Sequence, residues 1–149
     1  MPTIAIQNQA DMGAGVGRVL EQVDAKEAAA VVALHGELGA GKTTFVQMLA
    51  KAIGVTESVT SPTFVVMKQY PLETAKKTIE ELVHIDAYRI EDESEMTPLH
   101  FEELLKTPGL LVCIEWAENI KNLLPKNLID VTINITDQDG GREVIIHGT

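Results

Sequence analysis

Residues 34–45 read LHGELGAGKTTF, and this stretch decides how the rest of the chain is read. Gly36 is followed by four residues and then by Gly41, Lys42 and Thr43, the spacing of a phosphate-binding loop. The pattern has a mechanical reason. Small residues let several backbone N–H groups converge on one phosphate without side-chain clash. A helix that starts at the end of the loop adds its free N-terminal amides and its dipole. Lys42 reaches the β- and γ-phosphates, and the Thr43 hydroxyl suits a Mg²⁺ ion. An ordinary glycine-rich turn would need no such flanks; here AVVALHG before the loop reads as strand and TTFVQMLAKAIG after it as helix.

Working outward, residues 29–35 are a continuous apolar run, as in a strand buried on both faces. Residues 43–53 carry Phe45, Val46, Leu49 and Ile53 at helical spacing and close at Gly54. Upstream, residues 3–6 suit a short edge strand. Residues 11–23 suit a helix with Asp11 as N-cap and Val16, Val19, Leu20 and Val23 inward, weakened by Gly13, Gly15 and Gly17. Downstream, residues 63–70 and 79–86 read as two strands joined by PLETAKK, a polar hairpin-like connection. Residues 96–105 suit a short helix, 109–115 a second buried-type strand, and 117–124 a helix stopped by Pro125. Residues 128–135 and 143–147 finish as strands around the turn DQDGGR. A strand–loop–helix opening beside a buried parallel core, with extra antiparallel strands, predicts an α/β chain with a mixed central sheet flanked by helices.

The 149 residues, 1–149, allow one domain with a real core and are too short for two ordinary ones. Hydrophobic residues at 45% and charged residues at 23% fit a folded soluble chain. No apolar run approaches the roughly 20 residues that span a bilayer. MPTIAIQNQAD lacks the basic start and apolar stretch of a secretion signal. The lone Cys113 excludes an internal disulfide, so the expected location is cytoplasmic. Asp plus Glu number 22 against 12 Lys plus Arg, a formal net charge of -10. Nucleic-acid binding is driven by Lys and Arg on phosphates, so stable direct binding of DNA or RNA is not expected. Arginine occurs only at Arg18, Arg89 and Arg142, few for an enzyme moving phosphoryl groups between small molecules.

A phosphate loop needs a carboxylate at the end of a neighbouring buried strand for the metal, and a group to position the attacking water. Two stretches supply one. GLLVCIE ends at Glu115, and LVHID ends at Asp86. The first is apolar throughout and hence central, which favours Glu115 for the metal side and Asp86 for the water or a second metal-side contact. Residues 58–64, SVTSPTF, fit two readings. Thr63 could reach the γ-phosphate or metal as a switch loop does, or the segment is a plain helix-to-strand connection. His84 and Asp86 share one strand face, but no third ligand is near in sequence, which favours a structural role over a zinc site. Cys113 reads as a small buried hydrophobe. The acidic residues 91–95 read as a solvated loop and helix start, or a partner-facing patch. Trp116, the only tryptophan, either stacks near the site or packs.

Taken together the motifs resemble one family, TsaE, the YjeE-type P-loop ATPases of bacterial tRNA threonylcarbamoyladenosine biosynthesis. The matching pieces are GELGAGKTTF at 36–45, SPTF at 61–64, HIDAYR at 84–89, IEWAE at 114–118 and a late GGR at 140–142. They span nearly the whole chain. The resemblance implies a small single-domain P-loop NTPase that binds ATP or ADP with Mg²⁺. It implies phosphate contacts from Glu37, Leu38, Gly39, Ala40, Gly41, Lys42, Thr43 and Thr44, and Mg²⁺ ligation by Thr43 and Glu115. Asp86 would support hydrolysis, Thr63 would sit in a switch-like loop, and Asp11, Gly141 and Arg142 would add nucleotide contacts. The glycine-rich DMGAGVG departs from the family's pattern. The family does not itself modify tRNA. It is thought to associate with TsaD and TsaB, which transfer the threonylcarbamoyl group, its ATPase being weak alone and stimulated by them. An acidic chain fits that role by docking on a basic partner surface.

The rival functions lack their residues. A nucleoside or small-molecule kinase needs a substrate lid, usually with several Arg. A GTPase needs a guanine reader, which neither NIK at 119–121 nor KNLID at 126–130 supplies. A transporter-type ATPase needs a second glycine-rich signature. A nucleotide-dependent interaction module without turnover would keep the same loop, and the sequence does not separate it from a working ATPase.

Overall fold

The computed structural model describes residues 3–6, 9–62, 65–136 and 141–147. Seven strands form one mixed sheet: β1 (Thr3–Ile6), β2 (Ala30–His35), β3 (Met67–Lys76), β4 (Ile79–Asp86), β5 (Leu110–Glu115), β6 (Ile129–Ile135) and β7 (Arg142–His147), in the order β1-β7-β6-β2-β5-β4-β3. The inner four, β6, β2, β5 and β4, run parallel; β1, β7 and β3 add antiparallel pairs at the two sides. The apolar runs account for the centre. Every residue of β5 is buried, as is β2 up to Leu34, so both faces are covered.

One face packs against α1 (Gln9–Gln22) and α2 (Lys42–Ala52), with Val16, Val19, Phe45, Val46 and Leu49 meeting Val32, Leu34, Leu111, Val131 and Ile133. The other is covered by two 3₁₀ segments, Glu93–Leu99 and Ala117–Leu123, and by α3 (Phe101–Leu105), through Met96, Phe101, Ala117 and Ile120 on Val31, Ala33, Val83 and Ile114. Because strand side chains alternate, His84, Asp86 and Glu115 project to the α2 side, with Leu82 and Cys113. The α/β class and the mixed sheet agree with the sequence reading.

Several boundaries do not. PLETAKK is not a connection: β3 runs through it to Lys76, and the reversal is at Lys77 and Thr78. Pro71 and the charged residues suit this place because β3 is an edge strand, where a missing N–H and polar side chains are tolerated. The strand also starts at Met67, while Thr63 and Phe64 lie outside the described residues. The helix expected over 96–105 breaks at His100 (φ 55), between the 3₁₀ segment containing Pro98 and α3. The helix expected over 117–124 is 3₁₀, with Ile120 out of helical geometry (φ -131). Asp11 lies in the first turn of α1 and is not its N-cap.

The glycines of α1 do not prevent the helix, because Gly13 and Gly15 face Met48 and Phe45 of α2 at ordinary contact distance. Gly17 has nothing within 4 Å of an added Cβ. Gly17→Ala should therefore stabilise the protein by about 0.5–1 kcal/mol, through reduced backbone entropy in the unfolded chain. Thermal denaturation checks this, and a lower midpoint would mean the position is not the open helix surface described.

Candidate functional site

The loop's shape follows from its glycines. Gly36 (φ 148) adopts a backbone that disfavours side chains, and a Cβ there would run into the Ile133 carbonyl of β6. Gly41 (φ 113) turns the chain into α2, whose start carries no side-chain cap. The first amides of α2 therefore have no side-chain acceptor at the cap and could take an anion. Lys42 is 5% exposed and folds back, donating to the Gly36 carbonyl and, at 3.0 Å, to that of Glu37. Its Nζ lies 4.1 Å from the centre of the Trp116 ring. Burial lowers the Lys42 pKa, opposed by the charges of Glu115, Glu118 and Asp86. A cation stripped of water beside an uncapped helix start is poised for a phosphate.

Across the cleft, adjacent strand ends supply the two carboxylates, with Asp86 and Glu115 in register on β4 and β5. Thr43 Oγ1 is 2.9 Å from both Glu115 oxygens and donates between them. Asp86, 4% exposed, makes no such contact with Thr43; its Oδ1 accepts the Tyr88 N–H at 2.9 Å and its Oδ2 the Ser61 hydroxyl at 3.4 Å. The Ser61 contact brings the hydroxyl-rich segment to the site, and Gln47 of α2 holds that segment through the Val59 carbonyl at 2.8 Å. Just beyond it, Val66 sits at φ 69, an uncommon conformation for a β-branched residue, and its carbonyl accepts the Asp86 N–H at 2.8 Å.

These groups line a cleft of ≈ 330 Å³ together with Leu38, Tyr88 and Trp116. Trp116 takes a left-handed backbone (φ 58) directly after Glu115, and this turn lays its ring over Lys42 and 5.1 Å from the Tyr88 ring. Of its two sequence readings, the one near the site holds. Leu38 at the loop tip is 76% exposed, Gly39 and Thr44 are exposed and Ala40 is buried. Arg142 of β7 reaches the loop from its far side, donating from Nε to the Ala40 carbonyl at 3.0 Å and from Nη2 to that of Gly39 at 3.3 Å. Gly141 accepts the Thr136 N–H at 3.0 Å. Asp11 is one residue before Met12, whose Cε lies 3.5 Å from where a Gly41 Cβ would be. Of the predicted site residues, Leu38, Gly39, Gly41, Lys42, Thr43, Thr44, Asp86 and Glu115 line the cleft, Glu37, Ala40, Asp11, Gly141 and Arg142 do not, and Thr63 is outside the described residues.

Two histidines acquire partners that spacing did not indicate. His84 is fully buried and its Nε2 is 2.6 Å from Glu115 Oε2, a partner on the neighbouring strand. His35, at the end of β2, lies 2.9 Å from Asp130 and 3.3 Å from Glu118. It borders a larger recess of ≈ 560 Å³ on the opposite face of the sheet, away from the loop. Among the described residues no three His, Cys, Asp or Glu side chains converge as a metal cluster. Magnesium asks for less: it binds one or two protein oxygens and completes its shell with phosphates and waters. The Thr43–Glu115 pair, both hard oxygens at the loop, fits it. Among the described residues no helix is long and apolar enough to cross a membrane.

Comparison with known proteins gives one family. Residues 6–144 match the model for the threonylcarbamoyl adenosine biosynthesis protein TsaE. The tRNA threonylcarbamoyladenosine biosynthesis protein TsaE of Treponema pallidum is 34% identical over 140 residues, covering 94% of this chain and 93% of that protein. The Bacillus subtilis protein of the same name is 38% identical over 73% of this chain, and the match spans 64% of its length. That of Rickettsia bellii is 41% identical over 73% of this chain and 72% of its own. Among solved structures, Bacillus subtilis YdiB superposes with a TM-score of 0.74 at 26% identity, over 99% of this chain and 84% of that one.

Proposed function

The chain belongs to the TsaE family and so to the biosynthesis of tRNA threonylcarbamoyladenosine, and from that premise we propose that it is the pathway's Mg²⁺-dependent ATPase. The observation that carries this reading is the facing of Lys42 and the uncapped start of α2 by Asp86 and Glu115 across one small cleft. The loop amides and Lys42 take the phosphates of ATP or ADP. Thr43 and Glu115 hold the metal, which when bound neutralises phosphate charge and leaves the γ-phosphate more open to attack. Asp86 lies in register with Glu115 and is held in orientation by the Tyr88 amide and the Ser61 hydroxyl, so it is the carboxylate that orients the attacking water and accepts its proton. Ser61, whose hydroxyl reaches Asp86, borders the γ-phosphate end, and Thr63 would belong to a switch-like loop there. Tyr88 and Trp116 keep bulk water from the same end.

The partners are TsaD and TsaB, and hydrolysis serves their turnover on tRNA. The net charge of -10 supports docking on a basic protein surface over holding RNA. Depleting the protein in its own cells should lower threonylcarbamoyladenosine in bulk tRNA, read by mass spectrometry of digested tRNA. A normal level in depleted cells would contradict the assignment.

A further inference from the structure

Glu115 is 3% exposed, and its carboxylate has two hydrogen-bond donors: the Thr43 hydroxyl and the His84 imidazole. The donors differ in kind. The Thr43 hydroxyl gives its hydrogen to both carboxylate oxygens at 2.9 Å, so Thr43 and Glu115 pair directly. A hydroxyl that turns its lone pair to a cation turns its hydrogen away, so the Thr43 bond is the one lost on loading. The His84 bond to Oε2, 2.6 Å long, does not compete with that event, because the ring lies behind the carboxylate in the core and has no exposed surface.

The other edge of the ring is equally informative. A carboxylate only accepts, so Nε2 carries the hydrogen of that bond. On that edge Nδ1 is buried and has no hydrogen-bond partner among the described residues. A side chain selected for packing alone would not leave such a group unmade in the core. We infer that His84 is a positioning residue, which holds the Glu115 carboxylate at the strand end so that it and Thr43 together accept the magnesium ion of the nucleotide complex. The ring ties Oε2 and leaves Oε1 with the Thr43 hydroxyl alone. Orientation of a ligating carboxylate by a buried hydrogen-bond partner governs metal affinity by about 10- to 100-fold in other sites.

This inference rests on the magnesium–nucleotide site proposed above, and its test separates the two. His84→Met fills the volume without an N–H, and His84→Gln restores a terminal N–H. Calorimetry measures ADP affinity in EDTA and in Mg²⁺, and free-Mn²⁺ electron paramagnetic resonance measures metal affinity in the presence of ADP. His84→Met should lose about tenfold or more in metal affinity, keep its metal-free ADP affinity within about twofold, and be rescued largely by His84→Gln. Wild-type metal affinity in His84→Met, or equal losses with and without metal, would overturn the positioning role. Failure of the wild-type protein to bind ADP with Mg²⁺ would instead remove the nucleotide site itself. If His84→Met does not fold, the wild-type protein decides. The buried His84 Nε2–H proton resonance should shift when Mg²⁺ is added to the ADP complex, and an unmoved resonance overturns the role.

Discussion

Lys42→Ala should weaken ATP–Mg²⁺ binding by about a hundredfold or more, the ~3 kcal/mol expected when one partner of a desolvated charge pair is removed. The physical basis is that a buried ammonium has only backbone carbonyls as polar partners. Lys42 is buried, its pKa is lowered by that burial, and its ammonium is occupied by backbone carbonyls of Gly36 and Glu37. A phosphate replaces those weak partners with full opposite charge. Calorimetry reads the affinity, and the quenching of Trp116, 4.1 Å from the ammonium, gives an independent optical signal in the wild type. A variant that folds with unchanged affinity would remove the loop from the account.

Asp86→Asn should separate binding from turnover. Asparagine retains an oxygen for the Tyr88 amide but cannot accept a proton from water, so ATP affinity should stay within a few fold while turnover falls by about 10²–10⁴-fold. Single-turnover measurement with labelled ATP separates the two quantities. The opposite pattern, lost Mg²⁺-dependent binding with residual turnover in proportion, would move Asp86 to the metal side. The contact that argues against this is the one between Thr43 and Glu115, which Asp86 does not share.

The loop and its flanks were legible because each rests on local chemistry. Glycines at 36 and 41 take positive φ, an apolar run precedes them, and an amphipathic helix follows. Glu115 and Asp86 were legible because each ends an apolar run, and β4 and β5 pair in parallel with the two acids in register. What sequence did not give is nonlocal. The His84–Glu115 contact joins residues 31 apart, and the Arg142 contacts to the loop join residues 102 and 103 apart. Such pairs depend on strand order, which no local spacing states. The misread PLETAKK has the same cause. Polar residues and proline mean a turn in isolation and an edge strand once β4 lies on one side only. The broken helices near Pro98 and Ile120 reflect tertiary fit: the segment starting at Glu93 is tied by Glu93 to the Asn122 amide at 2.9 Å, which fixes two short 3₁₀ pieces against each other.

The role proposed for this cleft is ATP hydrolysis in the service of the tRNA-modifying proteins. The most direct measurement is steady-state ATP turnover by the purified protein, alone and with TsaD and TsaB added. The expected result is slow release of phosphate by the protein alone, strong stimulation by the pair, and loss of both in Asp86→Asn. No stimulation by the pair, together with phosphate appearing on an added nucleoside or small molecule, would contradict it.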